Sequence, residues 1–241
     1  MDSTTADRLV ELNRTFYEKF GESFSATRGR LQPGVLRLLS SLHGEESVLD
    51  LGCGNGELAR ELGRREHRGR YLGLDFSLSL LHEAQSRPPW RIQADFLRVD
   101  LTQLSSIGRL PVSGDWSFVA CFAVLHHIPG ESLRLDFLRT VRGWMEPGAR
   151  LALSNWQFLN SSRLRARIQP WAKVGFTESQ LDPGDALLDW KRDGAGLRYA
   201  HAFSGEELIA LAAKTGFVVT DSFLSDGEGG NLGLYQTWQA R

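Results

Sequence analysis

The apolar positions of this chain change period several times, and each change marks an element. Leu9, Leu12, Phe16, Tyr17 and Phe20 recur at three- and four-residue steps, so Asp7 to Phe20 reads as an amphipathic helix that Gly21 ends. A polar loop carrying Phe24 leads to a second helix that begins at Pro33, turns Val35, Leu36, Leu38, Leu39 and Leu42 inward, and ends near Gly44. From Val48 short apolar runs alternate with helical spacing. Strands are expected from Val48, over Tyr71 to Asp75, Ala94 to Leu101, Trp116 to Phe122 and Arg150 to Trp156. Helices are expected from Glu57, over Leu78 to Gln85 and from about Glu131 to Trp144. Trp116 to Phe122 is apolar around Ser117, as a central strand covered on both faces is. Asn160 to Leu197 fits no strand of this core and reads as an insertion. Ser204, with Glu207 at the capping-box position, opens a helix to Lys214 that Gly216 closes. Phe217 to Leu224 and Leu232 to Gln239 then read as two strands around an acidic, glycine-rich turn.

The alternation gives an α/β fold organised around one stretch, Val48-Leu49-Asp50-Leu51-Gly52-Cys53-Gly54-Asn55-Gly56-Glu57-Leu58. An apolar run ends in an acid, three glycines alternate with other residues, and a helical pattern begins. Glycines there allow a tight turn and a close approach of backbone to a flat, polar ligand. A dinucleotide fingerprint wants its third glycine one residue later than Gly56, so the loop departs from that pattern. Asp75 ends the next strand, where a carboxylate can accept from both hydroxyls of a ribose. The competing role, a helix-capping acid, is weaker because Ser77 already offers a cap oxygen. Asp95 or Asp100 on the third strand can accept the amino group of an adenine. Asp100 is favoured, because it ends the alternation of Phe96, Leu97 and Val99.

Composition narrows the classes. At 241 residues, 41% hydrophobic and 24% charged, the chain suits one domain with room for an insertion. Its net charge of −1 does not announce a polyanion partner, although Arg60, Arg64, Arg65, Arg68 and Arg70 form a local basic run. Two cysteines, Cys53 and Cys121, exclude a disulfide framework and a zinc-ligand spacing, so no metal is expected. Met1 to Asp7 lacks the apolar core of a secretory signal and no apolar run reaches spanning length, so a cytoplasmic, non-membrane protein is expected.

Asp50-Leu51-Gly52-Cys53-Gly54-Asn55-Gly56 resembles motif I of the class I S-adenosylmethionine-dependent methyltransferases. The resemblance implies a Rossmann-like, seven-stranded, mostly parallel sheet with an antiparallel last strand, helices on both faces and an insertion capping the active site. It divides the chain into an N-terminal helical lid (1–44), a cofactor-binding core (45–156), a cap (157–197) and a C-terminal helix with two strands (198–241). It implies S-adenosylmethionine as cofactor, held by Asp50, Gly52, Cys53, Gly54, Asn55, Gly56, Asp75, Phe76, Asp100, Leu101, Phe122 and Ala123.

Scattered matches point to one branch. Phe24-Ser25-Ala26-Thr27-Arg28, His126-His127, Ser154-Asn155-Trp156, Leu197 to Leu208 and Gly229-Gly230-Asn231 are similar, in order, to the tRNA wobble-uridine carboxymethyl methyltransferases. That branch implies a tRNA substrate and, in its eukaryotic members, a small activating subunit. Ala200 replaces a tyrosine of the branch and Ser117 an acid, departures that bear on the substrate rather than the cofactor. A carboxylate acceptor is already ionised at pH 7 and needs a cation, for which Arg28 and Arg198 are candidates. A hydroxyl or amine acceptor needs a base, for which His126, His127 or His201 are candidates. Three functions stand at this stage: the RNA enzyme, a small-molecule O- or N-methyltransferase whose acceptor meets Phe158, Trp171, Phe176 and Trp190, and a non-catalytic cofactor-binding scaffold.

Overall fold

A computed structural model of the chain describes residues 1–26, 29–86, 92–107, 110, 115–191 and 194–241. Helix α1 (Ser3–Ala26) and helix α2 (Pro33–Leu39, with proline in its first turn) precede strand β1 (Val48–Leu51) and helix α3 (Glu57–Arg64). Strand β2 (Tyr71–Asp75), helix α4 (Leu78–Ser86), strand β3 (Ala94–Arg98), the one-turn helix α5 (Leu104–Ile107), strand β4 (Trp116–Phe122), helix α6 (Glu131–Gly143) and strand β5 (Met145–Trp156) follow. After them come the short helix α7 (Ser162–Arg165), strands β6 (Ile168–Gln169), β7 (Asp185–Trp190) and β8 (Gly196–His201), helix α8 (Gly205–Lys214) and strands β9 (Phe217–Ser225) and β10 (Gly233–Ala240).

Seven strands form one sheet in the order β3-β2-β1-β4-β5-β10-β9. Neighbouring strands from β3 to β5 run parallel, and β10 lies antiparallel between β5 and β9. Alternate residues of each strand feed opposite faces, as a period of two requires. Leu49, Leu51, Val119 and Leu151 pack with Phe137, Leu138 and Val141 of α6 and with Leu208 and Leu211 of α8. Val48, Phe118 and Ala152 pack with Val35 and Leu39 of α2 and with Leu58 and Leu62 of α3. The sheet, its one antiparallel strand and the helices on both faces are those expected from the sequence.

Several boundaries differ from the expected ones. Helix α1 runs through Gly21 rather than ending there. A Cβ at that position would meet Ser77 Oγ at 3.6 Å and Leu80 Cγ at 3.9 Å, ordinary contact distances, so the helix passes through this glycine without strain. Strand β3 stops at Arg98, because Asp100 turns away to cap a tight helical turn at residues 101–103. Strand β5 begins at Met145, before the Pro147-Gly148 pair that was expected to precede it. The insertion, expected to hold no strand of the core, builds its own antiparallel sheet, β6-β7-β8. In β7, Leu187 packs with Leu9, Trp171 and Tyr199 on one face, while Ala186 and Leu188 pack with Phe158 and Leu164 on the other. A strand covered on both faces shows no alternation, which hid it.

This second sheet carries α1. Asn13 Oδ1 accepts the Tyr199 N–H at 2.8 Å, and Asn13 Nδ2 donates to the Tyr199 and His127 carbonyls at 3.2 Å each. Replacing Asn13 by Ala strands these buried backbone groups. The expected cost is about 1–3 kcal/mol per unsatisfied group, read as a lower urea midpoint with an unchanged slope.

Candidate functional site

A cavity of about 570 Å³ opens outside the carboxyl ends of β1, β2, β4 and β5. The strand order reverses between β1 and β4, and open α/β sheets bind ligands at such a point. Its floor is the glycine loop. Gly52, Gly54 and Gly56 all have positive φ (75°, 53° and 82°), a region that side chains with a Cβ rarely enter. Gly56 is the N-cap of α3 and does not itself line the cavity, whereas Gly52, Cys53, Gly54 and Asn55 do.

Two buried carboxylates meet under this loop. Asp75 accepts the Gly54 N–H through Oδ2 and the Ser77 N–H through Oδ1, both at 2.9 Å, and burial pushes its pKa up against those hydrogen bonds. Ser77 Oγ, at 3.5 Å from the Leu80 N–H, serves the start of α4, which leaves Asp75 to the loop. Asp50 accepts the Tyr71 hydroxyl at 2.6 Å. Burial raises its pKa to about 7, the Tyr71 hydrogen bond opposes the rise and the charge of Asp75 adds to it. Two acids that resist ionisation at a cavity floor suit a ligand that brings hydroxyl donors and a positive charge.

Asp100 lines the cavity and Asp95 does not. Asp100 accepts from Thr102 N at 3.0 Å and Thr102 Oγ1 at 2.6 Å, and pairs with Arg14 of α1 at 2.6 Å. Burial alone would raise its pKa, but these partners hold it below the ordinary value. Phe76, Leu101, Phe122 and Ala123 also line the cavity. Ala123 has φ 57°, a strained conformation fixed by hydrogen bonds from its N–H to Ser154 O and Oγ, both at 3.0 Å.

The remaining wall comes from α1, the turn after β4, the end of β5 and the loop before β10. His127 lies on it, with Nδ1 at 3.1 Å from the Tyr199 carbonyl and Nε2 at 2.8 Å from the Tyr17 hydroxyl. Trp156 and Tyr17 line it too. Arg198, the expected carboxylate anchor, does not. Its guanidinium is buried over Trp156 at 4.9 Å, and Nη1 donates to the Tyr17 hydroxyl at 3.4 Å. Arg28 lies outside the described residues.

His201 is a correction to the expected site. It does not line the cavity but sits buried between Asp185, 2.7 Å from Nδ1, and Glu207, 3.0 Å from Nε2. Arg134 of α6 joins them, donating to the Tyr199 hydroxyl at 2.8 Å and to Glu207 at 3.3 Å. Glu207 thereby leaves the expected capping box half made: Ser204 Oγ still accepts the Glu207 N–H at 3.1 Å. Phe158, Trp171, Phe176 and Trp190 likewise stay inside the packing of the insertion and of α1, away from the cavity. Among the described residues, none of 157–197 lines the cavity, and the insertion supports that wall through α1. Tyr17, Asn13 and Arg14 were not singled out from the sequence, where they are only the inward and flanking positions of an amphipathic helix.

The sheet order, the glycine loop and the cavity at the strand ends are similar to those of S-adenosylmethionine-dependent methyltransferases. Residues 49–151 match a protein-family model described as a methyltransferase domain. An Encephalitozoon cuniculi protein described no further than as a methyltransferase is 28% identical over 209 residues, 86% of this chain and 87% of that protein. The chloroplastic 2-phytyl-1,4-beta-naphthoquinone methyltransferase of Arabidopsis thaliana is 26% identical over 94% of this chain and 86% of its own length. The tRNA (carboxymethyluridine(34)-5-O)-methyltransferase of Schizosaccharomyces pombe is 27% identical, over 72% of this chain and 65% of its own length. Among solved structures, a SAM-dependent methyltransferase of Methanosarcina mazei shares the fold at TM-score 0.66 and 22% identity, over 87% of this chain and 98% of that one. Magnesium protoporphyrin IX methyltransferase of Synechocystis, solved with bound SAM, shares it at TM-score 0.54 and 16% identity, over 86% of this chain and 76% of that one.

The buried network around His201 generates a pH prediction. Burial works against a charge on this imidazole, but the hydrogen bonds to Asp185 and Glu207 outweigh it and raise its pKa above 6.5. A raised folded value makes the contribution complete below pH 6.5 and lost as pH rises through the folded value. Chemical denaturation between pH 6 and 9 will therefore show a stability loss that His201→Gln flattens. Arg134→Ala, which strips the cation from the buried Asp185 carboxylate, is expected to cost about 3–5 kcal/mol.

Proposed function

We propose that this protein methylates an oxygen or nitrogen of a small, ring-bearing acceptor. In this reading Asp75 takes the ribose hydroxyls of the cofactor and Asp100 its adenine amino group, while Gly52 to Gly56 pass beneath the rest. When bound, the cofactor supplies an electrophilic methyl group on a sulfonium. The chain's part is alignment of the acceptor in a dry cavity, where near-attack geometry alone is worth about 7–11 kcal/mol. The acceptor wall carries the reading: Tyr17, Ile128, Trp156, Leu232 and Tyr235 present rings and apolar surface to the cavity. A few polar groups among apolar walls are what small-molecule sites use.

The arginines agree with this. Arg60 and Arg64 of α3 and Arg65 at its C-cap pair with Glu57 and Glu61 at 2.8–2.9 Å, so part of the basic run is offset where it stands. Arg167 of the insertion pairs with Asp189 at 2.9 Å. Phosphate backbones need cations that are not already spent on neighbouring acids.

A second reading has one specific support. His127, Asn155 and Trp156 meet at the cavity and Arg198 stacks on Trp156, and these are residues on which the tRNA wobble-uridine resemblance rests. It takes a carboxylate on a modified wobble uridine as acceptor and allows for an activating subunit.

Labelled methyl transfer from S-adenosylmethionine into a size-fractionated cell extract separates the two. Label confined to small molecules is expected. Label in tRNA, released by mild base, would overturn the small-acceptor reading, and cofactor binding without any transfer would leave a scaffold. Asp75→Ala is expected to weaken S-adenosylhomocysteine binding by about 30-fold or more, the worth of charge-assisted hydrogen bonds. Calorimetry on the folded variant checks this.

A further inference from the structure

The wall of the acceptor space contains a hydrogen-bonded chain whose proton positions can be assigned from its partners. His127 Nδ1 faces the Tyr199 carbonyl at 3.1 Å, and a carbonyl only accepts, so the proton is on Nδ1. In a neutral ring Nε2 then carries a lone pair, and the Tyr17 hydroxyl 2.8 Å away must donate to it. Arg198 Nη1 donates to the same phenol oxygen at 3.4 Å. Both Tyr17 and His127 line the cavity. The chain is held from both ends. Asn13, one turn before Tyr17 on α1, bonds the His127 and Tyr199 carbonyls, and the Tyr17 and His127 rings meet edge to face with centroids 5.4 Å apart.

We propose that Tyr17 is the catalytic group that receives the acceptor's proton and passes its own to His127. This rests on the reading of a small acceptor with an O–H or N–H. As the methyl carbon bonds to the acceptor oxygen or nitrogen, its bond to sulfur breaks and that electron pair stays on sulfur. The acceptor's O–H or N–H bond breaks and a new Tyr17 O–H forms. The old Tyr17 O–H breaks and His127 Nε2–H forms. One positive charge leaves the sulfonium and one appears on the imidazolium, so the step balances. Arg198 is a positioning residue: it acts through Tyr17, stabilising negative charge on the phenol oxygen while the proton is in transit.

The arrangement explains why an aromatic cluster surrounds a buried arginine. Phe16, Trp156 and Trp190 face the Arg198 guanidinium at 5.4, 4.9 and 6.0 Å, which holds the cation behind Tyr17 instead of letting it reach the cavity. A cation in that place favours a developing phenolate and is not itself a contact for the acceptor.

The test uses the full chain, S-adenosylmethionine and two phenols at pH 8: phenol, which must lose its proton during transfer, and 4-nitrophenol, which is already ionised. Tyr17→Phe and His127→Gln are expected to lower kcat on phenol about 100-fold, the usual worth of a proton-transfer group, with KM within about threefold. On 4-nitrophenol the loss shrinks to below about threefold. Arg198→Met shows the same selectivity at about tenfold. Equal losses on both phenols would overturn the relay and leave Tyr17 as packing. Nitrogen-15 NMR of labelled histidine gives a second, acceptor-free readout. The ring missing from the His127→Gln spectrum must carry its proton on Nδ1, and Tyr17→Phe must shift its Nε2 resonance. A proton on Nε2, or no shift, overturns the proposal. If the wild type binds S-adenosylhomocysteine yet methylates neither phenol, the small-acceptor reading fails, and the NMR result alone decides the relay.

Discussion

The hydrogen bond from the Gly54 amide to the Asp75 carboxylate ties the loop after one strand to the end of the next. Much of the site depends on it. β1 and β2 are already held in register, Leu51 opposite Leu74, and the loop must leave that pair abruptly to reach the start of α3. Three residues with positive φ make the exit possible, and the carboxylate fixes which of their conformations is adopted. The cost is an acid kept from water beside a second one, Asp50, and both are raised in pKa by that burial. The pair stores unfavourable electrostatics at the cavity floor, where a positive charge or hydroxyl donors would relieve it, and the same atoms set the loop geometry.

Helix α1 completes what the sheet begins. The strand ends supply a floor and the turn after β4 supplies His127, but Val10, Asn13, Arg14 and Tyr17 of α1 close the other side. The insertion holds α1 in position: β8 takes Asn13, and Trp171, Phe176, Leu187 and Tyr199 cover Leu9. Its aromatic residues, which look like the lining of a substrate pocket in the sequence, form the packing behind one wall. The Arg134, Asp185, His201 and Glu207 network then fastens the insertion to α6 and α8, so the wall is anchored to the main sheet through charged groups as well as apolar ones.

The parts legible in the sequence are those whose cause is local. The periods of the main-sheet strands and the turn of the glycine loop depend on neighbours a few positions away, and these elements emerge near where they were expected, with β3 ending and β5 beginning earlier. The Tyr17 and His127 pair is separated by 110 positions, and Asn13 and Tyr199 by 186, so no window along the chain contains either contact. His201 illustrates the opposite failure. A histidine in a motif reads as a catalytic candidate, yet the carboxylates that claim it come from β7 and α8. Asp100 was identified as a cavity residue, but its Arg14 partner was not, because an arginine on an exposed-looking stretch of helix carries no signal of what it will reach. Gly21 was misread as a helix end, although α1 continues through it to Ala26.

The position of β10 has a consequence for how the chain comes into being. It follows both β5 and β9 in the chain, yet it lies between them and bonds to both. Until it emerges, β5 has a bare edge along most of its length and β9 has no neighbouring strand. A nascent chain can assemble β1 to β5 and the second sheet, but it must wait with an open, apolar β5 edge exposed to other chains. Synthesis that stalls before residue 233 therefore yields a species prone to pairing with itself.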